Sequence, residues 1–288
     1  MNLDELKDSI KNLTIWKKRG ERAPHKPLLI LYALGKIQQG KPRMLPYKQV
    51  RLDLKELLIE FGPLRKSYHP EQPFVRLAND GIWELDKKIQ KKPNNMQLLL
   101  NDVNGGFTEE VYNLIVENFS QIPDIAQIVL DQHFPYTIHE DILNAVGLDF
   151  NLNIRKKRDP RFREKILRAY GYSCAICGFN VRLSHTLVGV EAAHIKWHQA
   201  GGPDIEENGL ALCSMHHKLF DRGVFTINNE NKMIVSQEAH GTHGFEEWLM
   251  RFHGSRIRKP IETGYEPNLE YVKWHIKEVF KGPERYLI

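Results

Sequence analysis

Two short chelating pairs, Cys174-Ala-Ile-Cys177 and Cys213-Ser-Met-His216, constrain this chain more than any other feature. Zn²⁺ favours four Cys or His ligands in a closed tetrahedron, and a shell made of protein alone marks a structural site rather than a catalytic one. The plain alternative is three ordinary buried cysteines. All three cysteines of the chain stand in paired spacings, however, and that favours zinc held by Cys174, Cys177, Cys213 and His216. Such a cluster staples a region too small to build a large core. An odd number of thiols in this pattern suits a metal better than a disulfide framework, and it fits a reducing cytoplasm.

Between the half-sites, Val188-Gly-Val-Glu-Ala-Ala-His194-Ile195 alternates as a strand does and ends in a histidine. A loop with Gly201-Gly202-Pro203 leads to Asn208, and Gly209-Leu-Ala-Leu212 reads as the partner strand. Consecutive side chains on a helix diverge by ~100°, so His216 and His217 cannot both face one ion. One serves the zinc and the other a second centre.

The order His194, Asn208, His217, with Cys213 and His216 interleaved, resembles the HNH (ββα-metal) endonuclease motif over about residues 160 to 225. The resemblance implies that His194 is the general base that takes a proton from water. It implies that His217, with Asn208, ligates a catalytic Mg²⁺ or Mn²⁺, and that Asn208 fixes the loop. Phosphodiester hydrolysis needs this division, because water must be activated while charge grows on phosphoryl and leaving 3′ oxygens. Standing alone, His194 would read as a satisfied structural histidine; the joint pattern favours catalysis. Many HNH modules carry an Asp just before the base, and here that position is Ala193. Glu191 falls on the strand face opposite His194, which argues against a direct replacement. Asp221 reads as a helix-end structural residue, with an outer role at the metal as the alternative.

Charge points to the same partner. Lys plus Arg is 41 against 36 for Asp plus Glu, and the surplus is concentrated. Arg155, Lys156, Lys157, Arg158, Arg161, Arg163, Lys165 and Arg168 face only Asp159 and Glu164, an excess greater than the net +5 of the whole chain. A polyanion, double-stranded DNA, is the expected partner. Lys196, Trp197 and His198 follow the base on what reads as an exposed loop, suited to phosphate contact and stacking. His240, His243, His253, Arg251, Arg256 and Arg258 fit no metal template and read as backbone contacts or plain surface.

The first half reads as helices with one hairpin. Pro24 and Pro27 open an apolar stretch through Leu34, a second helix runs from Tyr47 to Leu58, and Gly62-Pro63 stops it. Phe74, Arg76 and Ala78, then Ile82 and Glu84, alternate about Asn79-Asp80-Gly81 and predict a tight hairpin in a winged-helix-like reader. Further helices are expected over Glu109 to Asn118, Asp124 to His133, and from Pro135 to Val146 with Gly147 closing. The expected fold class is α+β. A mostly helical DNA-reading domain with a β-hairpin occupies 1–150, and a zinc-stapled nuclease domain occupies 151–288. The longest apolar run, around Leu28 to Leu34, is too short to span a bilayer, so a soluble, unexported, cytoplasmic protein is expected.

The Arg22-to-Pro27 element RAPHKP, the PFVRLANDGIWEL segment, the HFPYTIHEDILNAVGL segment and the RDPRFREKILRAY junction together resemble the sulfur-binding-domain HNH restriction endonucleases. These are type IV, McrA-like enzymes that cut phosphorothioated DNA. By that resemblance Phe134 and Pro135 form the corner of a sulfur pocket, with Tyr136 or Ile138 as walls. Arg76 and Arg161 become phosphate clamps, and His25 and Lys26 sit at a helix start suited to phosphate. A weakly hydrated sulfur enters an apolar dimple that would strip a phosphate oxygen of its hydrogen bonds. Phe134 and Pro135 read equally well as a packed helix corner. A second reading keeps the nuclease but gives it a methylated base or a specific sequence as its cue. A third makes the chain a non-catalytic, zinc-stabilised DNA-binding protein. Because one HNH centre cuts one strand, a homodimer is expected for a duplex break.

Overall fold

The computed structural model describes residues 1–15, 21–89, 94–150 and 160–286. The basic run Arg155 to Arg158 lies outside the described residues. The chain divides into two compact units, Met1–Ile154 and Arg155–Ile288.

The first unit contains α1 (Leu3–Lys11), α2 (His25–Gln38), β1 (Leu45–Pro46), α3 (Tyr47–Phe61), α4 (Glu71–Arg76), β2 (Trp83–Leu85), α5 (Asn95–Leu100), β3 (Asn104–Phe107), α6 (Glu109–Glu117), α7 (Ile122–His133) and α8 (His139–Val146). Its axis is α2. From Leu28 to Gly35 every residue of that helix is buried, so it has no solvent face and must be surrounded. Helices α3, α4, α7 and α8 supply the surround. The crossing with α8 is close enough that a Cβ on Gly35 would stand 2.1 Å from the Val146 carbonyl oxygen.

The expected hairpin at Asn79-Asp80-Gly81 does not form. Glu71–Arg76 is helical, Leu77–Asp80 continues as a 3₁₀ turn, and Gly81, at φ +76°, ends it by donating its N–H to the Ala78 carbonyl. The left-handed residue that a hairpin turn needs serves equally to stop a helix, and local pattern does not separate the two uses. Strand β2 pairs instead with β3, which also pairs with β1, giving an antiparallel sheet of order β1-β3-β2. Tyr47, Phe74, Trp83 and Phe107 form an aromatic chain with successive centroids 4.8 to 5.9 Å apart that joins this sheet to α3 and α4.

The second unit contains α9 (Pro160–Ala169), β4 (Val181–Leu183), β5 (Thr186–Val188), β6 (Val190–His194), β7 (Gly209–Cys213), α10 (Ser214–Asp221), β8 (Phe225–Ile227), β9 (Met233–Val235), α11 (Phe245–Trp248) and α12 (Leu269–Glu278). The β6–β7 hairpin is its centre, with Glu191 opposite Leu212 and His194 opposite Gly209. Helices α9 and α10 both pack on this hairpin, and α12 packs on β8. One apolar cluster runs through these elements from Phe162 and Ile166 to Phe220, Phe225 and Val272. Among the described residues no helix is long and apolar enough to cross a membrane.

Candidate active site and metal knuckle

The two chelating pairs meet. The donor atoms of Cys174, Cys177, Cys213 and His216 lie within 4.8 Å of one another. His216 Nδ1 is 3.1 Å from Cys213 Sγ and 3.7 Å from Cys174 Sγ, and Cys177 Sγ is 4.0 Å from Cys213 Sγ. Zinc–sulfur bonds of ~2.3 Å imply ligand separations of roughly 3.8 Å in a tetrahedron, so the donor set fits such an ion. The His216 Nε2–H donates to the Trp248 carbonyl at 2.8 Å, which leaves Nδ1 as the ligand atom. Burial pulls the His216 imidazole down, yet its hydrogen bonds with the Cys174 and Cys177 sulfurs outweigh it and push it up to about 9.

On the other side of α10, His217 turns away from that cluster and stands between two carboxylates. Its Nδ1 is 2.9 Å from Glu191 Oε2, and its Nε2 is 3.2 Å from Asp221 Oδ2, one helical turn further along. Asp221 is buried, and its other oxygen accepts the Trp197 indole N–H at 3.1 Å. Trp197 is thus a core residue packed against Trp274, not the exposed stacking group expected of that loop. His198 is exposed as expected. His253 binds backbone through both ring nitrogens, and Arg251 and Arg256 are exposed.

His194 ends β6 with its ring stacked on Phe162 of α9, centroids 4.0 Å apart at 12°. Its Nε2 lies 2.7 Å from Asp204 Oδ1, a partner the sequence reading did not name. Burial pulls the imidazole below its ordinary value, and Asp204 pushes back. Asn208 is wholly buried and its amide is spent on backbone. Oδ1 accepts the Lys196 N–H at 2.8 Å, and Nδ2 donates to the carbonyls of Lys196 and Pro203 at 3.0 and 2.9 Å. The loop-fixing half of its expected role matches this geometry. The metal-ligand half does not, because the amide faces the loop.

In the first unit the residues expected to read DNA scatter into different environments. Lys26 is paired with the buried Asp80 and also donates to the Thr14 carbonyl, so its charge is used inside the fold rather than offered to phosphate. Phe134 is completely buried and Pro135 is buried beside it, so the corner packs in the core and presents no aromatic wall. His139 braces that corner, its Nε2 lying 2.9 Å from the Phe134 carbonyl. Tyr136 is half-buried on the following 3₁₀ turn. His25 begins α2, where burial first, and then neighbouring His69 and Arg65, lower it to about 4. Arg76, on α4 rather than a strand, is exposed; Arg161, also exposed, lies on α9 of the second unit.

A strand histidine, a loop asparagine and a helix histidine on a β-hairpin and helix beside a Cys₃His knuckle define a nuclease module of the HNH class, and residues 174–228 match the HNH endonuclease family. Residues 3–151, more than half of the chain, match the ScoMcrA-like, DNA sulfur-binding domain family. The chain belongs to that family. Among solved structures, the sulfur binding domain of ScoMcrA complexed with phosphorothioated DNA is similar at 20% identity and TM-score 0.43, over 49% of this chain and 94% of that one. The corresponding domain of SprMcrA, complexed with the same kind of DNA, gives 19% and 0.44 over 50% and 93%. No curated protein matches.

Proposed function

We propose that the protein is a type IV restriction endonuclease that binds phosphorothioate-modified DNA through its first unit and hydrolyses a nearby phosphodiester bond with its HNH module. The observation that carries this is the joining, in one chain, of a sulfur-binding domain over residues 3–151 to an HNH domain over residues 174–228.

In this reading His194 is the base. Its burial favours the neutral imidazole, the form that accepts a proton. A catalytic divalent ion would be held by His217 and Asp221 rather than by His217 and Asn208. His217 Nε2 and Asp221 Oδ2 stand 3.2 Å apart on one helix face, a nitrogen–oxygen donor pair of the kind such an ion would accept. Glu191 holds His217 from its Nδ1 side, as a carboxylate commonly does behind a metal-bound imidazole. When bound, Mg²⁺ or Mn²⁺ would neutralise charge growing on the phosphoryl oxygens. The Cys₃His knuckle would hold zinc and serve structure alone. A duplex break would take two copies of the chain.

The test is cleavage of two duplexes identical except for one phosphorothioate, with Mg²⁺ or Mn²⁺ present. The expected result is cutting of the sulfur-bearing duplex alone, and binding without cutting by His194→Ala. Equal cutting of both duplexes would keep the HNH assignment and remove the sulfur cue. Failure with either metal would favour the non-catalytic reading.

A further inference from the structure

We infer that Asp204 is the positioning residue of the nuclease centre: its carboxylate accepts the His194 Nε2–H and so fixes the tautomer whose Nδ1 lone pair takes the proton from the attacking water. The inference rests on the HNH reading above and names the atom at which the proton moves.

Geometry carries it. The 2.7 Å separation between Nε2 and Asp204 Oδ1 is that of a charge-assisted hydrogen bond, in which an ionised carboxylate can only accept. Nε2 therefore bears hydrogen in the neutral ring, and Nδ1 is left as the acceptor. Phe162, stacked at 4.0 Å and 12°, restrains rotation of the ring out of this arrangement. Among the described residues the titratable groups that act on His194 are Asp204, His198 with its ring 6.0 Å away, and, through charge, Asp221 of α10. Of these, Asp204 alone is hydrogen-bonded to the ring among the described residues.

Asn208 explains how a loop carboxylate can be held accurately enough. Its amide binds both the N–H and the carbonyl of Lys196, two residues after the histidine. The same amide binds the carbonyl of Pro203, one residue before the aspartate. The two backbone segments that carry the pair are thus fastened to one buried side chain, and the Asn208 carbonyl adds a bond from the Ile195 N–H at 2.9 Å. Only a primary amide offers one acceptor and two donors at this spot, since Asp has no donor when ionised. The chemistry follows. Water's proton passes to His194 Nδ1, the water oxygen's electron pair forms the new bond to phosphorus, and the bond to the 3′ oxygen breaks with its pair staying on that oxygen. That oxygen takes a proton from solvent. The imidazolium so formed is stabilised by the Asp204 carboxylate, as in other histidine–carboxylate pairs.

The experiment uses the metal-loaded full-length protein, with Asp204→Asn and Asp204→Glu beside the wild type. Single-turnover cleavage of phosphorothioated duplex is followed against pH, with affinity measured in parallel. For Asp204→Asn the plateau rate should fall at least ~100-fold through loss of the correct tautomer, with affinity unchanged. Its acid limb should move about one unit lower, because removing the anion makes the imidazolium easier to deprotonate. Asp204→Glu should return the limb to the wild-type position. An unshifted limb, whether or not the rate falls, would reduce Asp204 to a structural residue and overturn the inference. Ring ¹⁵N shifts of His194, assigned by difference from His194→Gln, read the tautomer without any cutting. Hydrogen on Nε2 in the wild type and a mixture in Asp204→Asn are expected, and hydrogen on Nδ1 in the wild type would refute the pairing. This readout remains decisive if the protein proves to cut no DNA, so a failure of the nuclease reading is distinguishable from a failure of this one.

Discussion

Lys26 shows how a charge that looks available in sequence is consumed by the fold. Asp80, 4% exposed at its side chain, also accepts the Thr14 N–H, so the pair ties the residues before α2 to the turn after α4. Lys26→Ala would leave that carboxylate buried without its cation, which costs about 3–5 kcal/mol. The expected outcome is a lower melting temperature of the first unit, with little change in the salt dependence of DNA affinity beyond that due to unfolding. His25 gives a second check. Its folded value of about 4 lies below the ordinary 6.5, so between these values the unfolded chain binds the extra proton. Stability is full above pH 6.5 and is lost as pH falls toward 4, by at most ~1.4 kcal/mol per unit. Chemical denaturation at pH 7, 5.5 and 4.5 should show this slope, and His25→Gln should flatten it.

Among the elements, those with a long apolar period were legible. The apolar stretch opened by Pro24 and Pro27 is α2, Tyr47–Phe61 is α3 ended at Gly62, and Gly147 closes α8. What failed was short and non-local. Strand β3 contains Gly105-Gly106, whose side-chain-free backbone gives no alternation to read, and its partners lie about 20 and 60 residues away in sequence. The site divided in the same way. Spacing revealed the Cys₃His knuckle, because each of its two pairs is set by a few residues of local backbone, whereas His194, Asn208 and His217 were pointed to by resemblance to the HNH motif. Asp204, Glu191 and Asp221 acquired partners only through the approach of a loop, a strand and a helix, which leaves no local periodicity. Close approach also makes a prediction for α2. Gly35→Ala gains about 1 kcal/mol of helix propensity but places a methyl 2.1 Å from the Val146 carbonyl oxygen. A rigid backbone neighbour makes overpacking the larger effect, at about 1–3 kcal/mol. Thermal denaturation should show net destabilisation confined to the first unit.

For the whole molecule, two units with separate cores imply two stability budgets. The knuckle lies entirely in the second unit, where the Arg258 N–H binds the Ala175 carbonyl and the Ile261 N–H binds that of Ala169. Metal removal by a strong chelator should therefore abolish or lower one calorimetric transition and leave the other in place. Binding of phosphorothioated DNA should survive that treatment while cutting is lost. A single transition that moves as one with chelation would contradict the division.

The contact between His216 and the Trp248 carbonyl closes the knuckle with a segment that lies later in the chain than all four of its ligands. During synthesis both halves of the knuckle emerge before the stretch that later rests on them, Trp248 together with Phe252, whose ring lies 5.8 Å from that of His216. Capture of an ion can thus precede closure of the covering segment. A chain whose knuckle held no ion would present this segment with a less finished surface to meet, so ion capture and closure of the second unit would be coupled.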